Sequence, residues 1–377
     1  MKVLFPINIF YPAQGGPSNV VYWIAKALVK KGVAVTIVTT NSEVEGKVPA
    51  DQWLETDYGR VIYYTCLSVL LPWRMMFSSL AAIPHCDVLH LTSLYYPSSL
   101  ISAVVARWYG KFIIWSAHGE LDELALIYST WKKKPVLWLI RHFLSKNVTF
   151  HSTCENETQR IKLLIGQQVR VIEIPNFLEL PALVNATQPN QRYLLYIGRI
   201  HPKKAIENLI NALPGSLQFT ALKLKLFIAG DADNPYADKL KEQINNLNLQ
   251  DKVQFLGSIE GDAKEELYAN AYFLILPSHT ENFGNVVVES LAQGTPVIAS
   301  TGTPWAILEE KQAGFWVENN PAALTAALEK ALHLSTEDYQ QYRDRAMNLA
   351  HQSFDIHENV GEWIAAYQTV IANYKQH

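Results

Sequence analysis

The chain lacks the features that announce several large classes of protein. Only three cysteines (Cys66, Cys86 and Cys154) are spread over 377 residues. They are too few and too far apart for a disulfide framework or a cysteine zinc site, and they suit free thiols in a reducing compartment. Basic residues are not in excess: 32 Lys and Arg stand against 35 Asp and Glu, a formal charge of -3. No overall field recruits nucleic acid, and any anion site is local. No apolar run reaches the roughly 18 residues of a membrane-spanning helix. The opening MKVLFPINIF is interrupted by Pro6 and Asn8, and no small-residue cleavage site follows it, so it reads as a first β-strand rather than a signal peptide. A cytoplasmic location, with room for peripheral contact with the inner face of the membrane, is the expectation. Neither the GxGxxG dinucleotide fingerprint nor the GxxxxGK[ST] phosphate loop occurs.

What is present is a well-cored globular chain, 49% hydrophobic and 18% charged, and too long for one hydrophobic core to organise comfortably. Short β-rich runs alternate with longer helical patterns. VLFPINIF, VAVTIVTT, DVLHLT and KFIIWS are near-continuous apolar strands with helices predicted over residues 20–31 and 98–109 between them. Such alternation predicts an α/β fold with parallel sheets covered on both faces. The stretch LPALVNATQPNQR carries two prolines and no periodicity, and a second α/β series then runs through YLLYIGR, LKLFIAG, VQFLG, YFLILPS and TPVIAS. The expected domains are residues 1–178, a linker over 179–192, residues 193–354, and a terminal helical segment over 355–377. In that last segment Val360, Trp363, Ile364, Tyr367 and Ile371 follow helical spacing, and it is expected to cross back over the first domain.

In open α/β sheets ligands bind beyond the carboxyl ends of the strands, so the loops after strands carry the chemistry. Gln14-Gly15-Gly16-Pro17-Ser18 follows the first strand and opens a helix, whose free N–H groups suit an anion; a plain tight turn fits equally well. His118, in Ser116-Ala117-His118-Gly119-Glu120, stands at a strand end, either donating into a cleft or as an ordinary loop histidine. Arg199, Lys203 and Lys204, in GRIHPKK, lie between a strand and a helix, where cations can grip phosphate. Glu281 and Glu289 bracket ENFGNVVVE. Glu289 falls among Val286, Val287, Val288 and Leu291, where a carboxylate is costly unless it has partners, and ligand hydroxyls or neighbouring backbone would supply them.

At these residues the sequence resembles the retaining glycosyltransferases of family 4. The resemblance rests on Glu281 to Glu289 as an E-x7-E motif within PSHTENFGNVVVESLAQGTPVIAS, on GRIHPKK and on GGPSNVVYWIAKALVKKG, and it covers nearly the whole chain. It implies a GT-B fold of two facing Rossmann-like domains with a deep interdomain cleft. It implies that Arg199 and Lys204 hold the donor diphosphate and that Glu289 holds the ribose. Glu281, Asn282, Phe283, Gly284 and Asn285 would contact the donor sugar, His118 would stand beside the transferred sugar, and the amide of Gly16 would approach the donor. The implied activity is transfer of a hexose, with UDP-glucose the expected donor, to a glycan or lipid-linked saccharide in polysaccharide biosynthesis, with no metal or other cofactor. Two departures stand out: Ala205 follows Lys204, and Phe177 follows Asn176, where the family commonly has glycine.

Asp231-Ala232-Asp233 matches a metal-holding DxD pattern, but the following Asn234-Pro235 favours a turn. Tyr95, Asp122 and Glu123 are candidate acceptor contacts. Residues 131–142, with Trp131, Trp138, three lysines and Arg141, suit an anionic membrane surface or an ordinary helix with a solvated basic end. Nucleotide-sugar epimerisation or hydrolysis, and a two-lobed sugar-binding protein, are the rival readings.

Overall fold

The computed structural model describes residues 1–11, 16–123, 130–184 and 193–374. The chain divides into two compact α/β units, one of Met1–Glu179 with Ile356–His377 and the other of Leu180–Asp355.

The first unit is built on β1 (Lys2–Ile9), β2 (Ala34–Thr40), β3 (Trp53–Thr56), β4 (Gly59–Tyr64), β5 (Val88–Thr92), β6 (Phe112–Ser116), β7 (Val148–Ser152) and β8 (Arg170–Glu173). Their order in the sheet is β3-β4-β2-β1-β5-β6-β7-β8. Both faces are covered, as the unbroken apolar strands require. Along β1, Val3, Phe5 and Ile7 enter one core with Ile24 and Leu28 of the helix Gly16–Lys30, while Leu4 enters the opposite core with Leu89, Leu91, Ile113 and Trp115. The expectation of parallel pairing needs one correction: β3 runs antiparallel to β4. The two residues between them, Asp57 and Tyr58, can close only a hairpin.

The helix Ile356–Tyr374 is part of this unit. It enters through a hydrogen bond from Ile356 N to Leu178 O, 2.9 Å. It buries Ile356, Val360, Trp363, Tyr367 and Val370 in the core with β1, and Ile364 and Ile371 pack at the margin of that core. Phe177, one of the two departures, is also buried there, so the side chain fills the position that family members leave to glycine.

The second unit carries β9 (Tyr193–Ile197), β10 (Lys225–Ala229), β11 (Val253–Gly257), β12 (Ala271–Leu276), β13 (Val297–Ser300) and β14 (Gly314–Val317). All are parallel, in the order β11-β10-β9-β12-β13-β14. Polar caps start its helices. Asn234 accepts from Tyr236 N and Ala237 N ahead of the helix Pro235–Asn246, and Asn320 accepts from Ala323 N ahead of Pro321–Leu332; each has proline at the first helical position. Of the segment expected as a linker, residues 180–184 belong to this unit. The side chain of Gln293 pins them, accepting from Val184 N at 2.9 Å and donating to Ala182 O at 3.0 Å. Residues 185–192 lie outside the described residues. Among the described residues no helix is long and apolar enough to cross a membrane.

In each sheet the winding reverses once, between β1 and β5 in the first and between β9 and β12 in the second. A reversal sends successive helices to opposite faces and leaves a crevice beyond the strand ends. The sequence-selected loops after β1, β6, β9 and β12 stand at or beside these two points.

Candidate active site

In the second unit, the loop after β9 and the loop after β12 meet. The chain leaves β9 through Gly198 and Arg199 and makes one tight turn, Pro202–Lys204. His279 N donates to Lys203 O at 2.9 Å, which fastens the two loops together. Lys204 Nζ pairs with Glu281 Oε1, and both side chains are largely buried. Ser278 Oγ donates to the same carboxylate oxygen at 2.8 Å. Arg199 is exposed at the strand end, with its carbonyl accepting from Tyr196 OH at 2.8 Å. Ala205, the other departure, has φ 49° and is fully buried. A left-handed residue there explains why glycine is usual, and the methyl group costs about 1–2 kcal/mol of local strain.

The E-x7-E loop is held by packing that the sequence does not advertise. Trp305, fully buried, donates its indole N–H to Phe283 O at 2.5 Å and packs its ring at a steep angle against those of Phe283 and Phe354. Glu281 N donates to Gly302 O at 3.1 Å. Gly302 has no room for a side chain, because a Cβ would sit 2.1 Å from His279 O. Gly284, at φ 88°, turns the chain into the helix Asn285–Ala292, whose amino terminus carries partial positive charge. On that helix Glu289 Oε2 accepts from Tyr268 OH at 2.7 Å and pairs with Lys264 Nζ at 2.7 Å. Asn282 and Asn285 are half-buried beside these groups in the chain, and Phe283 is buried. The Asp231 to Asp233 stretch is a turn: Asp231 Oδ1 accepts from Asp233 N at 3.0 Å.

In the first unit, Gly16 begins the helix after β1, and Ser18 Oγ bonds both N and O of Tyr11, 2.8 Å each, drawing the strand end to the helix. Gln14 and Gly15 lie outside the described residues. His118 follows β6 at φ 47°, a strained position for a non-glycine residue, and its buried Nε2 has no hydrogen-bond partner among the described residues. Gly119 N donates to Glu157 Oε1 at 2.7 Å, and Glu157 Oε2 accepts from Thr153 N at 2.8 Å. Glu157 is itself buried and holds the His118 loop to the start of the helix Glu155–Leu164. In sequence it looks like any acidic residue in a first helical turn. Glu120 accepts from Ser93 Oγ and Leu94 N, 2.6 Å each, so the loops after β5 and β6 are tied as well. The three acceptor candidates separate: Tyr95 OH is buried under Lys133 with no hydrogen-bond partner among the described residues, Asp122 is buried, and Glu123 is 79% exposed and paired with Arg160.

Beneath His118 runs a buried chain of hydrogen bonds whose direction is fixed at one end. His151 Nε2 faces Ile174 O at 2.8 Å and must donate. With both imidazoles neutral, His151 Nδ1 accepts from Ser116 Oγ, Ser116 Oγ accepts from His90 Nε2, and His90 Nδ1 accepts from Tyr367 OH, each at 2.8 Å. Burial enforces that neutrality, holding His151 down to about 4, His118 down to about 3, and His90 well below its usual value. Burial acts oppositely on Glu157 and raises it to about 7. On acidification below about pH 6.5, the unfolded chain takes up protons on these histidines that the folded chain refuses, so stability falls. Each contributes a slope of up to about 1.4 kcal/mol per pH unit. Glu157 opposes them, since the folded form keeps a proton that the unfolded form releases above about 4.5, and buried Glu120 and Glu265 act in the same sense, whereas Glu179 and Asp51, held low by Lys26 and Arg74 against burial, act with the histidines. The urea midpoint is expected to be lower at pH 5 than at pH 7, and an unchanged or higher midpoint would contradict the neutral chain.

Two Rossmann-like units, the second with a lysine–carboxylate cradle at its strand reversal, define the GT-B class of glycosyltransferase fold. The comparisons with known proteins give the same class. The model of glycosyl transferases group 1 matches residues 184–349 and that of glycosyltransferase family 4 matches residues 14–180. The chain is 35% identical over 147 residues to an uncharacterized glycosyltransferase of Methanocaldococcus jannaschii; the match covers 38% of this chain and 37% of that protein. It is 26% identical over 381 residues, 98% of this chain and 97% of the relative, to the GDP-mannose:cellobiosyl-diphosphopolyprenol alpha-mannosyltransferase of Xanthomonas oryzae. Among solved structures, Anabaena Alr3699/HepE in complex with UDP and glucose matches with a TM-score of 0.74 at 17% identity, over 97% of this chain and all of that one. The chain belongs to the family 4 glycosyltransferases.

Proposed function

We propose that the protein is a retaining, metal-independent hexosyltransferase that moves glucose from UDP-glucose to a lipid-linked saccharide or glycan in polysaccharide biosynthesis. The observation that carries this reading is the pairing of Lys204 with Glu281 at the β9–β12 reversal, beside Arg199 and the amino terminus of the helix Asn285–Ala292. Arg199, Lys204 and that helix end take the charge that develops on the departing diphosphate, the work a metal does elsewhere. Glu281, with Asn282, Phe283, Gly284 and Asn285, orients the sugar, and Glu289 takes the ribose. In the first unit, the amide of Gly16 and the neutral imidazole of His118 are the candidate hydrogen-bonding groups. The bond between the anomeric carbon and the phosphate oxygen breaks while the acceptor hydroxyl attacks from the same face. The acceptor proton passes to the departing phosphate oxygen.

The donor and acceptor classes draw support from the relatives. One solved neighbour holds UDP and glucose, and the Xanthomonas relative acts on a diphosphopolyprenol-linked disaccharide with GDP-mannose as donor. A lipid-linked acceptor also fits the exposed Trp131 and Trp138 within the basic segment Thr130–Leu139 and the exposed Phe143 just beyond it. Tyr95, Asp122 and Glu123 are the acceptor-side candidates. Incubation with UDP-glucose and a polyprenyl-diphosphate saccharide in excess EDTA is expected to release UDP only when the acceptor is present, with an α-linked product. Release without acceptor would favour hydrolysis, an inverted product would overturn the mechanism, and exclusive use of GDP-mannose would replace the donor.

A further inference from the structure

The two carboxylates of the E-x7-E motif are prepared in the same way. Glu281 carries one lysine and one hydroxyl on a single oxygen, Lys204 Nζ and Ser278 Oγ on Oε1. Glu289 carries the same pair of groups on Oε2, Lys264 Nζ and Tyr268 OH, each at 2.7 Å. Tyr268 is fully buried, so its hydroxyl fixes the rotation of the carboxylate. Lys264 reaches in from the helix Asp262–Asn270 and is only partly exposed. Glu265, the next residue, spends Oε2 on Gln293 Nε2 at 3.3 Å and leaves Lys264 to Glu289.

Such a site presents an acceptor and a donor side by side, the carboxylate and the ammonium. A vicinal cis-diol matches that pair. One hydroxyl donates its proton to the carboxylate, and the oxygen of its neighbour accepts from the ammonium. A deoxyribose lacks one of the two hydroxyls, so one partly buried charged group loses water without gaining a ligand partner, the situation in which polar sites discriminate.

We propose that Lys264 is a specificity-determining residue of the donor site, reading the ribose diol of the nucleotide together with Glu289. The inference rests on the donor-site reading above. Its test is isothermal titration of the full chain with UDP, 2′-deoxy-UDP and 3′-deoxy-UDP, and with GDP and its deoxy forms, using wild type, Lys264→Met and Lys264→Arg. Wild type is expected to prefer the ribonucleotide by about tenfold or more over at least one deoxy form. Lys264→Met is expected to reduce that preference to less than about threefold by weakening the ribonucleotide alone. Lys264→Arg is expected to keep it, because the cation survives. Equal preference in wild type and Lys264→Met would overturn the inference while leaving the donor site intact. So would equal weakening of ribo and deoxy forms, which a merely structural lysine would produce. A wild type that binds neither UDP nor GDP would overturn the donor-site reading itself, and this inference with it.

Discussion

Replacing Lys204 with methionine is expected to lower the turnover of sugar transfer by a factor of about 100 to 1,000, the cost seen when one fixed donor to a developing negative charge is removed. The lysine is held in place by its pairing with Glu281, by the turn Pro202–Lys204, and by the bond from His279 N to Lys203 O, and on the proposed reading that place is where the diphosphate leaves. Methionine keeps the stem and loses the charge, so the packing of the turn survives. The charge on the leaving group grows as the bond breaks, and the loss should therefore fall on kcat more than on KM for the donor. Some stability is also lost because Glu281 keeps its charge without its partner. Both groups retain contact with water, so that loss stays below the roughly 3–5 kcal/mol of a fully enclosed pair. Steady-state kinetics alongside a thermal melt separates the two effects. A variant whose kcat is unchanged while its melting temperature falls would make Lys204 structural and remove it from the chemistry.

Trp363→Ala should produce the largest fall in stability. Trp363 lies on the helix Ile356–Tyr374 with 1% of its surface exposed, its ring 4.7 Å from that of His151, 5.1 Å from His90 and 5.8 Å from Tyr367. Truncating a buried tryptophan costs about 3–5 kcal/mol, the lost transfer energy plus the cavity left behind. In a unit of this size that is on the order of 10 °C in melting temperature. The cavity opens against the histidine chain below His118, so sugar transfer is expected to fall with stability even though Trp363 is far along the sequence from every donor-site residue. Trp363→Phe is expected to recover most of the stability, since the indole N–H is buried without a partner and its loss leaves nothing unsatisfied. A loss under about 1 kcal/mol for the alanine variant would mean that the terminal helix is dispensable to the first unit.

What the sequence makes legible follows from how local each signal is. Unbroken apolar strands, glycine at strand ends and charged loops before helices are short-range features, and they suffice for the α/β class and for the loops containing Lys204, Glu281 and His118. Pairings between distant segments leave no such trace. Trp305 reads as one more apolar residue until its indole is found on Phe283 O, and Glu157 as a helix-start carboxylate until Gly119 N is found on it. Lys264 reads as a surface cation until it is found on Glu289. The short β3–β4 hairpin escapes for another reason: four residues, Trp53–Thr56, are too few to show a period. In each case the missing information is which segment lies alongside, and only the folded sheet order supplies it.

On the proposed reading, Glu281 and Lys204 organise a nucleotide-sugar donor site in the second unit. Thermal melts of wild type and Glu281→Ala with UDP-, GDP- and ADP-sugars test this, because a ligand that binds only the folded chain stabilises it by mass action. At about 100 times its dissociation constant the gain is about 2.7 kcal/mol. UDP-glucose is expected to raise the melting temperature of wild type, and Glu281→Ala is expected to lose most of that rise. No shift of wild type by any nucleotide sugar, or an equal shift in the variant, would contradict that reading.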